Sequence, residues 1–299
     1  MDFLKEKLPE KIAHKLSEVE SIKEILISEA ISLHKKYTIS IQESEHLQKI
    51  AAEVVIGDRI KDALGIEDCL RLRTGCAQID DLTRGGFRFK MINEVYGEAG
   101  VGKTQLCLQL AVAVQMPPIS GAAFYVCTDK SFPANRLLEL SLSVPSAFGL
   151  SGDESLMDKV FVEHSMDFIA LRRLLFVKLP KLLENVRISL VVIDSIAAIF
   201  RSEDIKYLER SKEIDDICRQ LNHLARTHNL VVVCVNQVTD DPNSDTSGPS
   251  LGNAWANYVV CRFLIERDWT NGIRRFRVVN APYLKPDACR FIITQSGLH

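Results

Sequence analysis

Residues Gly97–Thr104 read GEAGVGKT and fit the pattern GxxxxGK[ST] without a mismatch, and this stretch limits the fold more than any other. Its glycines let the backbone curl until successive N–H groups aim at phosphate oxygens, and the partial positive charge of a helix N-terminus supports them. The pattern therefore needs a buried strand in front and a helix behind. The flanks supply both: Ile92–Tyr96 reads as a strand, and apolar spacing over 103–115 reads as a helix. In that setting Lys103 reaches the β- and γ-phosphates of a nucleotide and the Thr104 hydroxyl binds magnesium. Gly97, Glu98, Ala99, Gly100, Val101 and Gly102, with Gln105 just inside the helix, form the rest of the nucleotide-binding set.

From Thr74 onward, buried strands alternate with helices. Strands are expected at Ile92–Tyr96, Ala122–Cys127, Val160–Glu163, Ser189–Ile193, Val231–Val235, Tyr258–Ile265, Phe276–Val279 and Phe291–Thr294. Helices are expected at 103–115, 134–142, 167–184 and 205–228. This alternation predicts an α/β fold with a mostly parallel sheet covered by helices on both faces. The Asn271-Gly272 turn signal adds an antiparallel edge. Residues 1–56 differ: Leu8, Ile12, Leu16, Ile22, Ile25, Leu26, Leu47, Ile50, Ala51 and Val54 recur at helical spacing. They predict a small helical N-terminal domain, with Pro9 in a first turn and a polar segment between Lys35 and Glu45 separating its last two helices. Residues 57–73 read as a linker with one short helix, and 74–299 as the main domain.

Composition excludes several functions. The 37 Lys+Arg and 39 Asp+Glu leave a formal charge of -2, so no global positive field draws the chain onto nucleic acid. MDFLKEKLPE has no apolar core, so no secretory signal is expected, and the apolar runs are shorter than the roughly 18 residues of a membrane span. The eight cysteines form no CxxC pair and lack zinc spacing with the histidines; they read as buried free thiols of a reducing compartment.

A phosphate loop needs an acid at the end of another buried strand to hold the magnesium shell. Asp194, closing LVVID, fills that role or else caps the helix that follows. Asp129, after the strand Ala122–Cys127, either orients an attacking water or occupies a surface turn. Asn236-Gln237 ends the strand Val231–Val235, where ligand-facing groups collect in open α/β sheets; the alternative is a plain polar strand end.

Taken together, the segment Thr74–Pro117 resembles the entry and phosphate loop of the RecA-like eukaryotic recombinases, and YVCTD, VVIDS, VNQV and NAPYLKP follow in that family's order. Cys127-Thr128, AVAVQMP and LGNAWAN are similar to one of its paralogue branches. The resemblance implies a RecA-like P-loop ATPase core that binds ATP and magnesium through Lys103, Thr104 and Asp194. It implies that Gln237 senses the γ-phosphate and that Arg136 lies beside the adenine. It also makes Asn280–Pro286 a cap over a neighbouring subunit's nucleotide. The implied role is homologous recombination and DNA double-strand break repair in the nucleus, with the cytoplasm as a second location. The implied partners are another recombinase paralogue in a hetero-oligomer, the recombinase filament, and single-stranded or branched DNA; no membrane is involved.

The departures are as informative. Asp129 replaces the family's catalytic Glu and is one methylene shorter, which predicts slow hydrolysis. The loop TDDPNSDTSGPS, Thr239–Ser250, carries three Asp and no Lys or Arg, and Arg201–Glu213 is charge-balanced, so this chain alone should bind DNA weakly. A glycine-bearing hairpin is missing around Tyr37–Glu43, and the linker lacks the Phe-x-x-Ala hook, so indefinite self-polymerisation is not expected. Two other readings stay open: a P-loop small-molecule kinase with Asp240–Ser250 as its lid, and a non-hydrolysing adaptor in which ATP joins two subunits.

Overall fold

The computed structural model describes residues 22–56, 70–128, 131–201, 207–240 and 247–299. The chain divides into two compact units, Met1–Asp68 and Cys69–His299.

In the first unit, helices α1 (Ile22–Ile27), α2 (Ala30–Tyr37) and α3 (Ile41–Ile56) surround a small core of Ile25, Leu33, Tyr37, Ile39, Leu47, Ile50 and Ala51. The expected polar separator from Lys35 to Glu45 shrinks to the turn Thr38–Ser40, with Thr38 in the left-handed conformation. The physical reason is a capping box. Ser40 Oγ accepts the Glu43 N–H at 3.1 Å, and Glu43 Oε2 accepts the Ser40 N–H at 2.6 Å, so α3 starts inside the polar stretch. The expected helix with Pro9 lies outside the described residues.

The second unit opens with strand β1 (Arg71–Leu72) against β2 (Phe87–Arg88), with helix α4 (Ala77–Leu82) between them. Leu72 and Phe87 are fully buried, so a linker helix does not continue through residues 71 and 72; residues 57–69 lie outside the described set. The main sheet contains β3 (Met91–Gly97), β4 (Ala122–Cys127), β5 (Val160–His164), β6 (Ile188–Asp194), β7 (Val231–Asp240), β8 (Ser247–Pro249), β9 (Cys261–Arg267), β10 (Arg274–Asn280) and β11 (Ala288–Phe291). Their spatial order is β11-β10-β9-β3-β7-β6-β4-β5, with β8 paired to β7 off that path. Strands β9, β3, β7, β6, β4 and β5 run parallel, while β10 and β11 form the antiparallel edge beyond β9. The Asn271-Gly272 turn joins β9 to β10 as expected, with Gly272 at φ +74°.

Alternation within the strands divides the core between the two faces of the sheet. Ala123, Tyr125, Cys127, Leu190 and Val192 face α5 (Lys103–Ala113) and α6 (Ala134–Ser143). Phe124, Val126, Val191 and Ile193 face the other side, covered by α7 (Phe168–Arg173), α8 (Leu179–Leu183), α9 (Ile196–Arg201), α10 (Tyr207–Thr227) and α11 (Gly252–Ala256). Each fully buried Val, Leu or Phe contributes about 1.5–3 kcal/mol relative to exposure, which is why these near-continuous apolar strands settle in the middle of the unit.

Three expected elements differ. The helix over 167–184 starts on Asp167, whose carboxylate accepts the Ala170 N–H, but Leu174–Lys178 forms a π turn ahead of Pro180, a residue with no N–H to give the preceding turn. Strand β7 runs five residues past Val235 to Asp240, because β8 pairs back onto it through Val238↔Pro249 and Thr239↔Gly248. The expected strand Phe291–Thr294 divides into the end of β11 and a separate short strand, Ile293–Thr294.

Candidate nucleotide site

The phosphate loop turns between β3 and α5, with Gly97, Gly100 and Gly102 all at positive φ. At two of these only glycine fits. A Cβ on Gly97, at φ +153°, would stand 2.2 Å from the Ile265 carbonyl oxygen, and one on Gly102, at φ +113°, would stand 2.5 Å from the Ile293 side chain. The loop is therefore pressed against β9 and the short strand after β11. Arg274 of β10 holds it from the same side, donating through Nε to the Val101 carbonyl at 3.0 Å.

Lys103 is 9 % exposed, and its Nζ donates to the carbonyls of Gly97 at 2.8 Å and Glu98 at 2.6 Å. Burial lowers its pKa, and the charge of Asp194 pulls it back up. The ammonium is thus held within the loop's curl by oxygen acceptors, and phosphate oxygens are stronger acceptors for the same donors.

Asp194 ends β6 and faces this loop. Its Oδ2 accepts the hydroxyl of Thr104 at 2.7 Å and the hydroxyl of Tyr125 at 2.7 Å. The helix-cap alternative goes to the next residue, since Ser195 Oγ accepts the Ala198 N–H of α9 at 3.3 Å. The tips of β4 and β6 are tied by Thr128, which donates its N–H at 2.9 Å and its hydroxyl at 3.0 Å to the Asp194 carbonyl. Thr128 Oγ1 also accepts the Ser195 N–H at 2.8 Å.

The polar pair ending the expected fifth strand splits by depth. Asn236 is fully buried: its Nδ2 donates to Glu94 Oε1 at 2.7 Å, and its Oδ1 accepts the Gln237 N–H at 2.8 Å. Gln237 is half-buried, lies in register with Gly97, and its carbonyl accepts the Ser250 N–H at 2.9 Å. Glu94 itself, wholly buried three residues before the loop, accepts Trp255 Nε1 at 2.6 Å and Arg262 Nε at 2.5 Å. Arg136 of α6 donates through Nε to Gln105 Oε1 at 2.7 Å and through its terminal nitrogens to the carbonyls of Thr294 and Gln295, each at 2.7 Å. Asp129 lies outside the described residues.

Among the described residues, no cluster of three or more His, Cys, Asp or Glu side chains could ligate a metal by itself. The bonded pair Thr104–Asp194 nevertheless suits magnesium, which keeps several waters and takes only one or two protein groups beside a substrate's phosphates. The described cysteines are all free, six of them buried; burial pushes up the thiols of Cys107 and Cys234, and Cys289 to about 12. Sequence reasoning missed Glu94, Arg274 and Tyr125. For Tyr125 a signal existed: it carries the one hydroxyl in the buried strand AAFYVC, and a buried tyrosine hydroxyl finds a partner.

Two further segments bear on assembly. In Asn280–Pro286, the Tyr283 ring lies 3.9 Å from the Arg88 guanidinium and 5.0 Å from that of Arg71, while Pro282, Lys285 and Pro286 are exposed. A groove of about 500 Å³ borders Gln237, Thr239, Ser250 and Leu251, and Arg210 is the one charged residue among its described lining. No helix among the described residues is long and apolar enough to cross a membrane.

The profile of the Rad51 family matches residues 66–299. The chain is 32% identical to the DNA repair protein XRCC3 of Bos taurus and 31% identical to that of Mus musculus. Each alignment covers 96% of this chain and 93% of the relative. The DNA repair protein XRCC3 homolog of Arabidopsis thaliana is 33% identical over 76% of this chain and 92% of its own length.

Proposed function

This chain belongs to the Rad51 family, and from that premise we propose that it is an ATP- and magnesium-binding recombinase paralogue acting in homologous recombination and DNA double-strand break repair. It works as a subunit of a heteromeric complex, with another recombinase paralogue as its partner, and assists a recombinase filament on single-stranded DNA in the nucleus. The observation that carries the reading is the phosphate loop with Lys103 inside its curl and Thr104 bonded to Asp194. When bound, magnesium neutralises phosphate charge and orients the triphosphate. The chain's own groups do the rest: loop amides and Lys103 hold the phosphates, Thr104 and Asp194 hold the magnesium shell, and Gln237 stands beside Gly97 to sense the terminal phosphate. Arg136, bonded to Gln105 and to the carbonyls near the chain's end, frames the base. With Asp129 a methylene shorter than the family's glutamate, turnover is slow.

Two features support a bounded assembly. The exposed prolines and Lys285 of the 280–286 segment offer a neighbour a specific face, and among the described residues lining the groove beside Gln237 only Arg210 is charged, which provides little phosphate neutralisation. Membership of this family displaces the small-molecule kinase reading. The test is Lys103→Ala in the full-length protein, followed by fluorescent ATP titration. ATP affinity should fall at least about tenfold, because charge-assisted bonds to the phosphates are lost, while the far-ultraviolet dichroism stays that of the wild type. Equal affinity in the two proteins refutes the nucleotide site.

A further inference from the structure

We infer that Tyr125 is a positioning residue for the magnesium site, holding the Asp194 carboxylate in the orientation that the metal's hydration shell requires. The inference rests on the nucleotide-site reading above. Tyr125 is 1 % exposed, its ring lies in the core between the sheet and α5, and its hydroxyl meets one atom of the expected metal site, Asp194 Oδ2, at 2.7 Å. The same oxygen accepts the Thr104 hydroxyl at 2.7 Å. Two hydroxyl donors, one on the helix that starts at the phosphate loop and one on the neighbouring strand, therefore share Oδ2 and set the rotation of the carboxylate plane. With Oδ2 engaged twice, the Thr104 hydroxyl oxygen is turned so that its proton points to Asp194 and its lone pairs point away from it, the arrangement a metal-ligating hydroxyl needs.

The surroundings make the arrangement rigid. The Tyr125 ring packs edge-on against Phe132, with centroids 5.1 Å apart, so the tyrosine cannot swing without disturbing the segment that leads into α6 and Arg136. The ring shares its core cluster with buried side chains that include Cys107 and Leu190. Outer-shell donors of this kind orient the groups that hold a metal, and losing one typically costs about 10–100-fold in metal affinity.

The experiment compares the full-length wild type with Tyr125→Phe, which removes one oxygen and keeps the ring. Binding of a fluorescent ATP analogue is measured in EDTA and across a magnesium chloride titration. Expected is a rise of about tenfold in the magnesium concentration at half effect, with the ratio of magnesium-loaded to magnesium-free affinity falling accordingly. In an Asp194→Asn background the same substitution should have little additional effect, because both act through one carboxylate. An unchanged magnesium midpoint, or effects of the two substitutions that add fully, overturns the inference while leaving the nucleotide site standing. Absence of nucleotide binding by the wild type in both conditions overturns the underlying reading and the inference with it. Should Tyr125→Phe prove unstable, 3-fluorotyrosine at position 125, a stronger hydroxyl donor, must lower the magnesium midpoint; a raised or unmoved midpoint is again fatal.

Discussion

At the scale of single residues, Glu94 is open to damage by substitution because its charge is shut away from water. Its carboxylate is wholly buried and satisfied by Asn236, Trp255 and Arg262, so truncating it takes the acceptor from a partly buried guanidinium and from the Trp255 and Asn236 N–H groups that point at it. Glu94→Ala should cost about 3–5 kcal/mol, read as a lower urea midpoint at unchanged slope, and Glu94→Gln should cost less because the amide oxygen still accepts from Trp255 and Asn236. A loss under about 1 kcal/mol for Glu94→Ala would mean that water replaces the carboxylate. The residues legible in the sequence, Lys103, Thr104 and Asp194, were found because their chemistry is written locally: contiguous in a loop, or placed at the end of an apolar run. Glu94 and Tyr125 were not, since their roles depend on partners 142 and 69 positions away. A buried glutamate in a strand has no meaning until the fold shows what stands opposite.

Elements obey the same division between local and distant causes. The parallel strands and the helix after the phosphate loop were legible because burial on both faces leaves uninterrupted apolar runs. The extension of β7 to Asp240 was not, because TDDPNS carries turn composition and only pairing with β8 makes its start a strand. Helix α3 shows the opposite failure: the local signal, Ser-x-x-Glu, was present in a stretch read as a polar separator. Since its two reciprocal bonds satisfy N–H groups at the start of a 16-residue helix, Ser40→Ala should lower the stability of the N-terminal unit by about 1 kcal/mol. Hydrogen exchange of α3 amides in the full-length protein measures this. Protection falling about fivefold is expected for that free energy, and unchanged protection would show that the cap is redundant.

For the whole molecule, the governing quantity is charge. A formal charge of -2 and a groove with Arg210 as its one charged described residue leave few phosphates to neutralise, so DNA affinity should be weak and only gently dependent on salt. The pure chain with ATP and single-stranded DNA, at about 0.15 M salt, should show weak anisotropy changes and no regular filaments by negative stain. Tight binding or long filaments under those conditions would contradict a paralogue that assists a filament without building one. The chain's last segment adds a different consequence. Ile293 sets the space at Gly102, the Thr294 and Gln295 carbonyls hold Arg136, and the Leu298 N–H donates to Gln109 of the helix behind the phosphate loop at 2.8 Å. The segment Ile293–Leu298 thus builds the wall of a site whose centre lies nearly two hundred positions earlier in the sequence. In genetic terms, a stop codon ahead of Ile293 is not a mild truncation: it takes away a wall of the nucleotide site.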